Sequence, residues 1–117
     1  MKNNINTSEN YLERIPVRSE KLRYESDGQG KVTIIKENRG IFNRLAQITI
    51  KKPKISYIHL DEIGSCIWPL IDGERDIISL GVLLKERLGE KAEPLYERLA
   101  KYFKVLESYG FITFRKK

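Results

Sequence analysis

One cysteine and one histidine occur among the 117 residues of the chain. A single cysteine, Cys66, excludes an intrachain disulfide. One cysteine with one histidine also leaves no ligand spacing for a zinc site. Cys66 falls on the apolar face of its helix with nothing beside it to mark a nucleophile, so it reads as a buried, inert thiol. His59 reads as a packed or surface residue rather than a ligand. No apolar run approaches the ~20 residues needed to span a bilayer. The opening MKNNINTSEN has no apolar signal region. A cytoplasmic protein without membrane contact is therefore expected. A Gly-rich phosphate loop, a nucleophile elbow and a paired-carboxylate signature are missing as well. The expectation is a non-enzyme with no catalytic residue, no metal and no cofactor.

What is present is charge, unevenly placed. The composition is 40% hydrophobic and 32% charged, with a net charge of +6. The whole excess lies in residues 1–59, since residues 60–117 are neutral overall. Between Asn38 and Leu60 the chain carries Arg39, Arg44, Lys51, Lys52 and Lys54 and no acid. Such a stretch is either a solvated surface with edge-strand lysines or a site for an acidic partner.

The most informative stretch is Leu60 to Gly73, LDEIGSCIWPLIDG. Before it, KISYIHL alternates apolar and polar as a half-buried strand does. Ile55, Tyr57 and His59 face one way; Ser56, Ile58 and Leu60 face the other. After it, Ile63, Cys66, Ile67 and Leu70 recur at helical spacing. Asp61 between them is a good N-cap, because its carboxylate accepts from free helical N–H groups at the positive end of the helix. Asp72-Gly73 makes a turn. Pro69 predicts a kink or an early end.

Elsewhere, residues 1–14 read as a flexible N-terminal tail and 15–117 as a single domain. Ser8 is a candidate cap for a short helix through Tyr11, Leu12 and Ile15, ended by Pro16. Pro16 to Glu25 reads as a short edge strand, SDGQG as a turn and Lys31 to Glu37 as a strand. Residues 41–50 fit both periods and are an excursion between paired strands. Asp76 caps a second helix with the stripe Ile77, Leu80, Leu84 and Leu88, ended by Gly89. Gly81 within it permits close helix packing. The third helix is the longest, with Pro94 in its first turn and an apolar face of Leu95, Leu99, Tyr102, Phe103 and Leu106. Gly110 ends it, and Phe111 to Phe114 adds a short strand. The order predicts an α+β, winged helix-turn-helix fold: a small antiparallel β-sheet followed by three α-helices.

On these residues the chain resembles the PqqD family, whose members are similar to the recognition domains of ribosomal peptide modification systems. The resemblance runs over about residues 15–112. It is carried by LDEIGSCIWPLIDGERD, by the amphipathic helix ending at Gly89, and by EPLYERLAKYFKVLESYGFI. It implies binding rather than catalysis: an adaptor that holds the leader of a precursor peptide and presents it to a modifying enzyme, often a radical SAM protein. The leader is implied to add as a strand along Lys54, Ile55, Ser56, Tyr57, Ile58 and His59, and to lie beside Arg98, Tyr102, Val105 and Tyr109 on the third helix. Arg44, Lys51 and Lys52 would draw in an acidic leader electrostatically.

A winged-helix nucleic-acid binder is the alternative, which the fold pattern and a pI near 9.5 permit. Its third helix would enter the major groove, yet that helix starts among Glu90, Glu93 and Glu97, the wrong sign for phosphate. No nucleic-acid partner is expected. A third reading is a structural subunit that binds only its enzyme.

Overall fold

The computed structural model describes residues 11–37 and 54–115. In chain order its elements are β1 (Pro16–Arg18), β2 (Leu22–Ser26), β3 (Val32–Glu37), β4 (Ile55–His59), α1 (Glu62–Ile67), a 3-10 turn (Trp68–Leu70), α2 (Ile77–Leu88), a second 3-10 turn (Gly89–Ala92), α3 (Leu95–Ser108) and β5 (Ile112–Phe114). The fold is α+β, with small antiparallel sheets and three helices, as the sequence predicts. The chain divides into two compact units, Glu20–Ser65 and Met1–Ser19 with Cys66–Lys117. Ser8 and the excursion over residues 38–52 lie outside the described residues.

The first unit is a three-stranded antiparallel sheet in the order β2-β3-β4. Its β2–β3 turn is set by Asp27, whose carboxylate accepts the N–H groups of Gln29 at 2.8 Å and Lys31 at 2.9 Å. Val32 and Ile34 of the central strand are buried. They alternate with Thr33 on the opposite face, as the period of two requires. Past the end of β4, Asp61 caps α1 as expected, accepting the Gly64 N–H at 2.8 Å. The buried Ser65 hydroxyl accepts the Val32 N–H at 2.9 Å and donates to the Leu60 carbonyl at 3.2 Å. The start of the helix is thereby tied to the last rung of the ladder.

In the second unit, α1 stops at Ile67 and the chain continues through Trp68–Leu70 as a 3-10 turn that takes up Pro69 at its start. This is the early end that Pro69 predicts, because its ring crowds the preceding turn and it has no N–H to give. The Asp72 carboxylate then accepts the N–H groups of Glu74 at 2.9 Å and Arg75 at 3.0 Å. Gly73 takes φ +78, a conformation that disfavours any side chain. Asp76 caps α2 by accepting the Ser79 N–H at 2.8 Å. Gly81 lies against α3, where a Cβ would stand 2.9 Å from Leu99 Cδ1. Leu95, Leu99, Phe103 and Leu106 form the buried stripe of α3, while Tyr102 is only half-buried. The helix closes with the Phe111 N–H on the Leu106 carbonyl at 2.9 Å and the Gly110 N–H on the Glu107 carbonyl at 3.0 Å. That is a Schellman closure, with Gly110 as the left-handed residue at φ +76.

One expectation needs correction. Pro16 to Glu25 is not one strand but two, in different sheets. β1 pairs with β5, and β2 pairs with β3. The polar run Ser19-Glu20-Lys21 separates them. Backbone bonds from Ser19 to Phe111 and from Arg115 to Ile15 flank the β1–β5 pairing. Hydrogen-bonded pairs alternate along an antiparallel ladder, so Pro16 falls at a non-bonded position where its missing N–H costs nothing.

Candidate functional site

β4 is an edge strand, and its polarity follows from one bond. The Leu60 N–H donates to the Val32 carbonyl at 2.9 Å. With the observed register, Ile58 opposite Ile34 and Ser56 opposite Lys36 also turn their backbone groups inward, to β3. Ile55, Tyr57 and His59 turn theirs outward. Among the described residues no strand pairs with that outer edge. It therefore offers N–H and C=O groups to an extended chain. The side chains on this outward set are also the open ones: Tyr57 is 60% exposed and Ile55 38%, while Ser56 and Ile58 are half-buried. His59 shares a hydrogen bond of 2.9 Å with Thr33 Oγ1 through its Nδ1. Lys54, just before the strand, is exposed.

The expected contacts on α3 lie in the other unit. Arg98, Tyr102, Val105 and Tyr109 recur at intervals that place them on one flank of the helix. Val105 and Tyr109 are exposed, and Tyr109 tilts against Phe111 at 5.7 Å between ring centroids. Tyr102 meets Phe103 edge-on at 5.4 Å. Arg98 is engaged locally, donating to the carbonyls of Lys91 at 2.8 Å and Glu93 at 3.3 Å. The adjoining flank forms a shallow groove lined by Glu97, Ala100, Lys101, Lys104, Val105 and Ser108. Of these, sequence reasoning places only Val105 at a site. Lysines three apart on a helix exposed on several sides carry no signal by themselves. Arg44, Lys51 and Lys52 lie outside the described residues.

The shifted titratable groups serve turns and packing. Asp72 and Asp27 are held below the ordinary aspartate range by the backbone N–H groups they accept, chiefly from Arg75 and from Lys31. Glu93 is lowered chiefly by its bond from Lys85, then by the Leu95 N–H. Burial, with Glu107 adding to it, pushes the Tyr11 hydroxyl up to about 12. Tyr11 packs edge-on against Phe114 at 5.5 Å, with the Arg14 guanidinium over both rings. Among the described residues no three His, Cys, Asp or Glu side chains gather to hold a metal ion, and no helix is long and apolar enough to cross a membrane.

An open sheet edge followed by three short helices, the first capped by an aspartate and the last closed by a glycine, defines a small α+β domain of the winged-helix kind. The family described as Coenzyme PQQ synthesis protein D (PqqD) matches residues 50–112, more than half of the chain, and the chain belongs to that family. The match takes in β4 and all three helices, and begins later than the residue 15 expected from the sequence. No curated protein and no solved structure matches the chain. Membership places it with the accessory proteins of coenzyme PQQ and ribosomal peptide biosynthesis, which are not themselves catalysts.

Proposed function

We propose that the protein is a peptide-binding adaptor: it takes the leader of a ribosomally made precursor as an added strand on β4 and presents it to a modifying enzyme of the radical SAM type. The observation that carries this reading is the outward row of backbone groups at Ile55, Tyr57 and His59, inside the span that matches the family. Each backbone bond to an incoming strand contributes roughly 0.5–1.5 kcal/mol. Ordering a flexible peptide costs ~2–5 kcal/mol, so side-chain contacts are needed besides. Tyr57 and Ile55 supply them on β4. Tyr102, Val105 and Tyr109, with the stem of Arg98, are proposed as a second peptide-contacting surface on α3. The acid-free basic run before β4, with Arg44, Lys51 and Lys52, favours an acidic leader and acts mainly on its rate of encounter.

Amide shift mapping on the labelled full chain, titrated with a candidate acidic leader peptide, tests the reading. Shifts centred on residues 54–59 are expected. Shifts confined to α2 and β5, with 54–59 silent, would refute the site. Sub-micromolar duplex binding with a steep salt dependence would replace the adaptor by a nucleic-acid binder.

A further inference from the structure

The sheet of the first unit is organised in rows, and the rows end at the open edge. On the face that carries Tyr57, one row runs Glu25, Thr33, His59, and the next runs Arg23, Ile35, Tyr57. A third runs through Glu37 to Ile55. A strand added at β4 places one residue directly opposite each of His59, Tyr57 and Ile55, with its side chain on the same face. In an antiparallel addition, matching every other pairing in this sheet, those residues follow one another N to C at spacing two.

The rows differ in chemistry. His59 Nδ1 is tied to Thr33 Oγ1 at 2.9 Å, and with the hydroxyl as donor the ring proton sits on Nε2. Nε2 has no partner among the described residues, and in that tautomer it is a donor without an acceptor at the end of its row. The chain carries +6 overall, which favours an anionic acceptor. The middle row is apolar at its end: Ile35 is buried although it shares the face of the exposed Tyr57. Ile55 repeats that character one row on.

We infer that the β4 edge reads a short pattern in the peptide, acidic–x–apolar–x–apolar from N to C. His59 is the specificity-determining residue for the acid and Tyr57 for the central apolar position. Thr33 acts as a positioning residue, holding the imidazole. This inference rests on the strand addition proposed above and gives that site its selectivity.

Two capped peptides of equal composition test it: Thr-Glu-Thr-Val-Thr-Val-Thr and its reverse, Thr-Val-Thr-Val-Thr-Glu-Thr, each titrated into the labelled full chain. Both should shift residues 55–59, with the forward peptide binding about tenfold tighter, since matched cross-strand pairs contribute about threefold each. His59→Val should abolish the preference for Glu over Gln in the forward peptide and leave the preference for Val over Ser opposite Tyr57. Tyr57→Thr should do the converse. Both side chains are exposed, so the fold is retained. Equal affinity of forward and reverse peptides, with shifts still at 55–59, overturns the pattern and leaves strand addition standing. No shift at 55–59 with either peptide at millimolar concentration overturns both.

Discussion

The Ser65 hydroxyl accepts the backbone N–H of Val32 at 2.9 Å across 33 residues of sequence. It stands where a second ladder bond would otherwise join Val32 and Leu60. The Leu60 carbonyl, freed from that bond, accepts the same hydroxyl at 3.2 Å. One side chain thus satisfies two backbone groups and fixes the start of α1 to the end of β4. Ser65→Ala leaves a buried N–H without a partner, which costs about 1–3 kcal/mol. We expect the denaturant midpoint to fall accordingly, with amide exchange fastest at Val32 and Leu60. An unchanged midpoint would show that water replaces the hydroxyl at no cost.

Gly81 marks the closest approach of α2 to α3. A Cβ there would meet Leu99 Cδ1 at 2.9 Å and Tyr96 Cε1 at 3.3 Å. Gly81→Ala gains about 1 kcal/mol in helix propensity. It also pushes on Leu99, which is fully buried, at a cost of about 1–3 kcal/mol. The second effect wins, so the substitution should destabilise by about 1 kcal/mol, and Gly81→Val by several. Thermal unfolding checks both; a stabilised Gly81→Ala would mean that the helices separate freely.

Leu99 and Phe103 sit at the centre of the α3 stripe and are fully buried. Truncating either to Ala removes apolar surface and leaves a cavity, costing about 2–5 kcal/mol. Val105→Ala, on an exposed flank of the same helix, should cost under about 0.5 kcal/mol. Urea midpoints of the three variants should separate accordingly; equal effects would place the core on another face.

Much of this architecture is legible in the residues themselves. Asp61, Asp76, Gly89 and Gly110 mark helix ends because each signal is local: a side-chain acceptor before a run of free N–H groups, or a residue tolerant of positive φ. Pro69 stops α1 for the same local reason. The division at Ser19 is not local. Whether Val17 and Tyr24 share a strand depends on β5, almost 100 residues away, which among the described residues pairs with β1 alone. At the candidate site, the alternation of Ile55 to His59 gives the two faces of β4. It says nothing of which backbone groups point outward, and that comes from the single bond between Leu60 and Val32. The role of Ser65 is equally hidden, since a serine inside a six-residue helix carries no mark of its partner in a distant strand.

Acid should weaken the fold in a defined window. The ordinary values are 3.8 for Asp72 and 4.5 for Glu93, and in the folded chain both are lowered. A lowered carboxyl stabilises the folded state fully above its unfolded pKa, and that contribution is lost as pH falls through the folded value. Stability should therefore be level near neutrality and decline below about pH 4.5. Asp72→Asn keeps an oxygen acceptor for the Glu74 and Arg75 N–H groups but loses the charge. Its deficit relative to the parent should be largest at neutral pH and should shrink as pH falls below 3.8. Urea midpoints measured across pH check this. A deficit that grows toward acid would mean the Asp72 carboxylate is not favoured by folding.

The bond from Leu60 to Val32 also separates two neighbouring substitutions on β4. Ile58 turns its N–H to the Ile34 carbonyl, inside the sheet, while Tyr57 turns its N–H outward. Proline has no N–H to give, and on an edge strand it is tolerated only where that group faces away from the ladder. Ile58→Pro should therefore break a rung and remove a half-buried side chain, with the unpaired Ile34 carbonyl alone costing about 1–3 kcal/mol. Tyr57→Pro removes an outward donor and should leave the fold largely intact, while deleting one bond to an added strand. Near-native circular dichroism and unfolding midpoint are thus expected for Tyr57→Pro, with peptide binding weakened through a faster off-rate. Ile58→Pro should lose cooperative unfolding. If the two effects are exchanged, the register of β4 is shifted by one residue, and the edge would present Ser56 and Ile58 outward instead.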